Sequence, residues 1–294
     1  MIPFEFYRVR LHLRARGALR FPMPAANLLR GALGYRLEDR QQDYARWFRP
    51  GAPQGGPAPS GLADWPRPFV LRASHLDGLE CHPEKCWNFD VHVFAREAVW
   101  PLVGALAGAA ERGMGRGRVA SELLKIEAVD LENGGTDFSP GSAGDPTGPV
   151  PPISLNLAYT GEPAGHVSLR FVTPTELKGQ PSTGEEPDFG TLFARLRDRL
   201  GNLRAFYGAG PLEVDFRGLG ERARSIRLVH ARLGWERAQR RSSRTGQVHP
   251  LGGFTGEADY EGDLGEFMPW LWAARWVGVG RQTVWGRGDV RVIR

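Results

Sequence analysis

"FYRVRLHLR", residues 6–14, alternates without a break. Val9, Leu11 and Leu13 share one face, and Arg8, Arg10, His12 and Arg14 share the other. Side chains of a strand point alternately to its two faces, so this run predicts a β-strand that covers a core on one side and shows a basic row on the other.

Working outward, the same order of elements emerges twice. After the first strand, "PAANLLRGALGYRL" (24–37) sets Leu28, Leu29, Ala32, Leu33 and Leu37 on one helical stripe. Short strands are expected near Pro68–Arg72 and Trp87–Phe94. A helix carrying Trp100, Val103, Leu106, Ala107 and Ala110 follows, and then a strand around Leu123–Leu131. The second half is expected to open with strands near Ile153–Tyr159 and Val167–Val172. A helix capped by Asp188 then buries Leu192, Phe193, Leu196, Leu200 and Leu203. Strands near Ser225–Trp235 and Gly253–Tyr260 come next. In the last helix Asp263 and Glu266 have capping-box spacing, with Leu264, Phe267, Met268, Leu271 and Trp272 as its stripe. Asp289–Ile293 ends the chain as a strand.

Each half therefore reads strand–helix–strand–strand–helix–strand. That is the split βαβ order of a ferredoxin-like, RRM-like domain, and the fold class expected is α+β with two such domains in tandem. Gly- and Pro-rich stretches at 51–64 and 179–188 read as surface loops. The stretch 132–152 reads as a linker, placing the domains at 1–150 and 151–294. A sheet covered by helices on one face leaves the other open, a platform suited to RNA.

The 294 residues carry a net charge of +5, and lysine supplies only three of the 38 basic residues. A GC-rich coding sequence would account for the bias towards arginine but not for its clustering. Nine arginines and only two acids, Glu221 and Glu236, lie between Arg217 and Arg244. Guanidinium forks match phosphate oxygens in pairs, so the stripe suits a polyanion. No apolar run is long enough to span a membrane, and the N-terminus has no signal-peptide core, so a cytoplasmic protein is expected. "CHPEKC" (81–86) offers Cys81, His82 and Cys86 but no second ligand pair for zinc. No phosphate-loop motif and no paired-carboxylate nuclease constellation is present. Neither a metal nor a cofactor is expected.

Four motifs in the last fifty-odd residues resemble a known family. They are the Arg/Ser run Arg240–Arg244, the Gly-Phe-x-Gly of Gly253–Gly256, Tyr260–Leu264 leading into a helix, and the glycine-rich Gly280–Gly288. "LRFVTPTELKG" (169–179), "NLLRGALG" (27–34) and "ARWFRP…RPFVLRA" (45–73) add weaker likeness upstream. Together they resemble the RAMP-superfamily endoribonucleases of the sixth CRISPR-associated protein family, which process CRISPR repeat transcripts. The resemblance implies metal-independent RNA cleavage, in which a ribose 2′-hydroxyl attacks its own phosphodiester. The products would be a 2′,3′-cyclic phosphate and a 5′-hydroxyl. It also implies that the glycine-rich segment brings backbone close to RNA, glycine having no Cβ to obstruct it.

Relatives carry histidines in or beside the first helix and before the glycine-rich element. Here those places hold Tyr35 and Gly278. The candidate catalytic residues are therefore His12, on the basic strand face, Tyr35, and His249, after the Arg/Ser loop. Tyr35 borders the apolar stripe, so packing into the core is its competing role. Expected RNA contacts in the first half are Arg8, Arg10 and Arg30. In the second half they are Arg240, Arg241, Ser242 and Arg244, then Gly280, Arg281, Gly286, Arg287 and Gly288. Expected partners are CRISPR repeat RNA, with CRISPR effector complex subunits or a second copy in a homodimer as further candidates. The alternative is a non-catalytic RAMP subunit that binds RNA within an effector complex.

Overall fold

The computed structural model describes residues 1–51, 65–138, 148–178, 186–236, 239–241, 248–250 and 252–293. The first sheet is built on β1 (Pro3–Ala15). Helix α1 (Ala25–Glu38) follows, then β2 (Phe69–Arg72), β3 (Cys86–Val93), α2 (Val99–Arg112), β4 (Ser121–Val129) and β5 (Gly135–Phe138). Its antiparallel order is β2-β3-β1-β4-β5. Val9, Leu11 and Leu13 are fully buried under α1 and α2, as the alternation predicted.

Strand β5 corrects the linker expectation at its start. The Asp130 carboxylate accepts from the amides of Glu132 and Gly134, both at 2.8 Å, and Asn133 takes a left-handed φ of 68°. Asn-Gly at such a turn closes a hairpin, so Thr136 and its neighbours pair with β4. Residues 139–147 of that stretch lie outside the described residues.

The next strand, β6 (Ile153–Asn156), was expected to open the second half. It pairs instead with Pro3–Phe6 of β1. The reason lies in β1, which serves two cores. Phe4 and Phe6 pack into the second core, while Val9 to Leu13 pack into the first. Val70 and Phe94 also cross into the second core.

The second sheet comprises β7 (His166–Thr175), β8 (Arg227–Glu236), β9 (Gly253–Glu261) and β10 (Val290–Val292), in the order β8-β9-β7-β10. Helices α3 (Phe189–Tyr207), α4 (Phe216–Ala223) and α5 (Met268–Val277) lie between these strands in sequence. The two sheets are α+β ferredoxin-like units in which the strand that begins each unit lies centrally, β1 between β3 and β4 and β7 between β9 and β10. Asp188 caps α3 as expected, accepting from Thr191 N–H at 2.9 Å. The capping box does not form. Glu266 turns away to an ion pair with Arg222, and Gly265–Phe267 make a 3-10 turn before α5 begins at Met268.

Candidate nucleic-acid interface

The two domains meet where α5 ends. The last carbonyls of a helix lack partners within it and carry its negative dipole end. Three side chains satisfy them. Arg72 Nη2 donates to Arg275 O at 2.7 Å, His92 Nδ1 to Trp276 O at 2.9 Å, and Arg199 Nε to Val277 O at 3.2 Å. Arg72 and His92 belong to β2 and β3, so the first domain caps a helix of the second. Because a carbonyl only accepts, Nδ1 of His92 carries the hydrogen. Burial, reinforced by the Arg72 charge, pushes the His92 pKa down to about 3 and keeps the ring neutral. Burial also lowers Arg72, and it takes Arg199 down to about 10.

From this cap the chain enters the glycine-rich segment. Gly278, Gly280, Gly286 and Gly288 all have positive φ, between 69° and 81°. A Cβ on Gly288 would collide with Val279 O, and one on Gly286 would lie 2.7 Å from the Ala26 Cβ of α1. The glycines are thus required both by the turn and by close packing against the first domain. The amides of Gly278, Gly286 and Gly288 donate to Ala274, Thr283 and Pro174 carbonyls. Trp285 packs over Arg30, whose guanidinium lies 4.9 Å from its ring and 4.7 Å from that of Phe48. Arg30 is therefore clasped between two aromatic faces, one from each side of the seam. The two loop arginines differ. Arg281 is exposed and pairs with Glu176 at 2.8 Å, whereas Arg287 is only 4% exposed. Burial lowers its pKa, and the charges of Glu236 and Asp77 oppose that shift.

On the open face of the first sheet, the basic row of β1 meets acids from both neighbouring strands. Arg8 and Arg10 share Asp90 of β3, at 2.7 and 2.6 Å. Arg8 also donates to Asp130 O and to Asn133, and it is buried. These arginines and the nearby charges hold Asp90 ionised, with its pKa below the usual range despite burial. His12 Nε2 lies 2.9 Å from Glu127 Oε2 on β4. Glu127 in turn accepts from Lys125 at 3.0 Å, and Lys125 reaches Asp137 at 2.9 Å. Arg14 stands between Glu84 and Glu122, each at 3.7 Å.

The remaining candidates are scattered. Tyr35 is 67% exposed on α1, which corrects the expectation that it packs into the core. The reason is angular: Leu33, Gly34 and Leu37 turn inward, and Tyr35 falls between them on the outer side. Arg240 and His249 are backbone partners in a short ribbon, Gln239–Arg241 paired with Val248–Pro250. Ser242 and Arg244 lie outside the described residues. Among the described residues, no three His, Cys, Asp or Glu side chains gather closely enough to hold a metal ion, and no helix is long and apolar enough to cross a membrane.

Between the sheets lies a cleft of about 320 Å³. Arg8, Arg10 and Arg72 line it from the first domain, and Arg275 and Arg291 from the second. Its acids are Asp90 and Asp289. Asp289 is held bidentately by Arg291, at 3.2 and 2.9 Å. The second-domain lining and Arg72 escaped the sequence reading. Its one visible trace was a lone acid, Asp90, between Asn88 and His92 on the polar face of the alternating strand "WNFDVHV" (87–93).

Comparisons with known proteins agree with this layout. The family model of the CRISPR-associated endoribonuclease Cas6 matches residues 169–290, the second domain through the glycine-rich segment. A model described as an N-terminal domain matches residues 4–142. No curated protein gives a significant match. Among solved structures, a product complex of Cas6 (TTHB231) aligns over 98% of this chain and 99% of its own, with TM-score 0.60 and 18% identity. A product complex of Cas6 (TTHA0078) aligns over 99% and 100%, with TM-score 0.56 and 19% identity. The Thermus thermophilus Cas6 (TTHB231) structure aligns over the whole of both chains, with TM-score 0.56 and 16% identity. The second domain thus matches the Cas6 model through the glycine-rich segment, and over nearly its whole length the chain shares the fold of solved Cas6 structures.

Proposed function

We propose that the protein is an endoribonuclease that cuts CRISPR precursor RNA within its repeats, without a metal ion, to release guide RNAs. The observation that carries this reading is the Cas6 endoribonuclease match over residues 169–290, which runs through the segment packed against α1. The reaction needs four things from the protein: removal of the 2′ proton, a proton for the leaving 5′-oxygen, charge to stabilise the phosphorane, and in-line positioning. Arginine can supply the third and help with the fourth. For the first, His12 is the best-arranged group among the described residues. Its Nε2 is oriented by Glu127, leaving Nδ1 as the base, with Lys125 and Asp137 fixing Glu127 behind it. Tyr35, exposed on α1, is the second candidate.

The test is cleavage of repeat RNA in EDTA, beside the same RNA carrying a single 2′-deoxyribose at the cut site. Cleavage of the first alone, giving cyclic-phosphate and 5′-hydroxyl ends, supports the proposal. Under it, His12→Ala slows the single-turnover rate by roughly 10²–10⁴-fold. A specific observation favours a second reading, a non-cleaving RNA-binding subunit: neither α1 nor the glycine-rich segment contains a histidine. Tight binding of intact repeat RNA, with no product from either substrate, selects that reading. The repeat RNA is the proposed partner in both. Association with a second copy or with effector subunits is checked by light scattering with and without RNA.

A further inference from the structure

Among the described residues, the longest sheet edge has no partner strand. Strand β8 (Arg227–Glu236) pairs with β9 alone and ends its sheet. The other edge strands of the two sheets, β2, β5 and β10, are only three or four residues long. A free edge offers rows of N–H and C=O groups to another strand, and the run "RLVHARLGWE" has no proline or lysine to blunt it. Its one irregularity is a register shift between Leu228 and His230, beyond which Ala231–Glu236 pairs evenly with β9. In that even run Arg232, Gly234 and Glu236 are exposed, while Leu233 and Trp235 pack partly against the second core. Neither exposed charge has an ion-pair partner among the described residues. Arg232 donates to His230 at 3.1 Å, and Glu257, its neighbour on β9, is taken by Arg170 at 2.7 Å. Glu236 accepts from the Thr255 hydroxyl at 3.1 Å.

We infer that β8 pairs antiparallel with β8 of a second copy of this chain, across a two-fold axis at Gly234. A two-fold axis perpendicular to a sheet makes the contact isologous and sets each residue opposite one on the same face. The side chains then choose the centre. Centred on Arg232, the strands bring like charges together. Centred on Ala231, Arg232 meets His230, and centred on Leu233 it meets Gly234. Centred on Gly234, Arg232 meets the partner's Glu236 and Glu236 meets the partner's Arg232, so one register forms two ion pairs. On the other face Leu233 and Trp235 meet in both directions, and the apolar side of the sheet continues into the second copy. Nothing lies within 4 Å of where a Gly234 Cβ would stand, which leaves room at the axis. The contact is one strand long, so the dimer is weak and concentration-dependent. The inference does not depend on whether the protein cuts RNA.

Sedimentation of the full chain without RNA, over a range of concentrations, tests it. The wild-type chain is expected to associate reversibly into a dimer. Arg232→Glu and Glu236→Arg each set like charges across the axis, and each weakens the dimer roughly tenfold or more. Mixed in equal amounts, the two variants associate again, because each copy then meets the opposite charge at both positions. A variant that had lost association through misfolding is not rescued by mixing. Arg217→Glu, an exposed reversal off the strand, leaves the dimer unchanged. The proposal is overturned if the wild-type chain stays monomeric, if both reversals leave a dimer intact, or if mixing restores nothing. An edge that holds RNA instead shows as a monomer whose RNA affinity falls in Arg232→Glu and rises in Glu236→Arg, and that result also overturns it.

Discussion

Two arginine-rich regions of this molecule put one residue type to opposite uses. At the seam, Arg8 and Arg72 are held inside the protein, tied to Asp90 or to the carbonyl end of α5. In the second domain, the arginines from Arg217 through Arg232 are exposed. Its pairs, such as Arg217–Glu221 and Arg227–Glu261, stand in solvent. A buried guanidinium has lost its hydration and depends on its partners, whereas an exposed one is free to exchange a carboxylate for a phosphate. Arginine content alone therefore does not mark an RNA surface. The first region ties the domains together, and the pairs of the second stand in solvent.

The largest effect expected is from removing the acid that two seam arginines share. Asp90→Ala leaves the buried Arg8 without its counter-ion and should cost about 3–5 kcal/mol in urea unfolding. The matching change outside, Glu221→Ala, should cost less than about 1 kcal/mol. Similar costs at the two positions would erase the distinction between seam and surface. Next is Gly286→Ala. It forces an alanine to φ 76° and sets its methyl 2.7 Å from Ala26. Left-handed strain and overpacking together predict a loss of about 2–4 kcal/mol, again read by urea unfolding.

A smaller effect appears in the pH dependence. The unfolded chain takes up a proton on His92 near pH 6.5, while the folded protein refuses it until about pH 3. The unfolded state thus binds more protons across that window, and stability falls as the pH drops, by up to about 1.4 kcal/mol per unit. Above pH 6.5 this contribution is flat. Asp90 and Asp289 act lower down. Their folded pKa values lie below 3.8, so the stability they give is present above the unfolded pKa and is lost only in stronger acid. His92→Asn, whose amide can still donate to Trp276 O, should flatten the slope between pH 6.5 and 4.

Much of the fold was legible because its signals are local. The alternation of Val9, Leu11 and Leu13 and the Asp188 cap each depend on residues a few positions apart, and each formed as expected. What escaped depends on partners distant in sequence. Nothing within Ile153–Asn156 says that it will lie beside Pro3–Phe6, 150 residues earlier. Glu266 has the right spacing for a cap, but Arg222 claims it. The site was legible to the same extent. The row Arg8, Arg10, His12 was visible, whereas the acids that face it, Asp90 and Glu127, arrive from strands about 80 and 115 residues away. A charged residue on a strand face can be read from one sequence, but whether that charge is spent cannot.

The smallest stability effect tests the outer region most directly. Arg222 is half exposed and pairs with Glu266, partway along the arginine stripe. Arg222→Ala should change unfolding stability by less than about 1 kcal/mol, because a solvent-exposed pair gains little over two hydrated ions. If the stripe meets RNA phosphates, the same change weakens repeat-RNA binding and lowers the slope of log affinity against log salt by about 0.7–0.9, one counter-ion fewer being released. Asp90→Asn provides the contrast, since it alters the seam without touching the outer face. Its cost should fall on unfolding, with the salt slope of RNA binding kept. An unchanged salt slope in Arg222→Ala together with a reduced one in Asp90→Asn would exchange the roles of the two regions and place the polyanion surface at the seam.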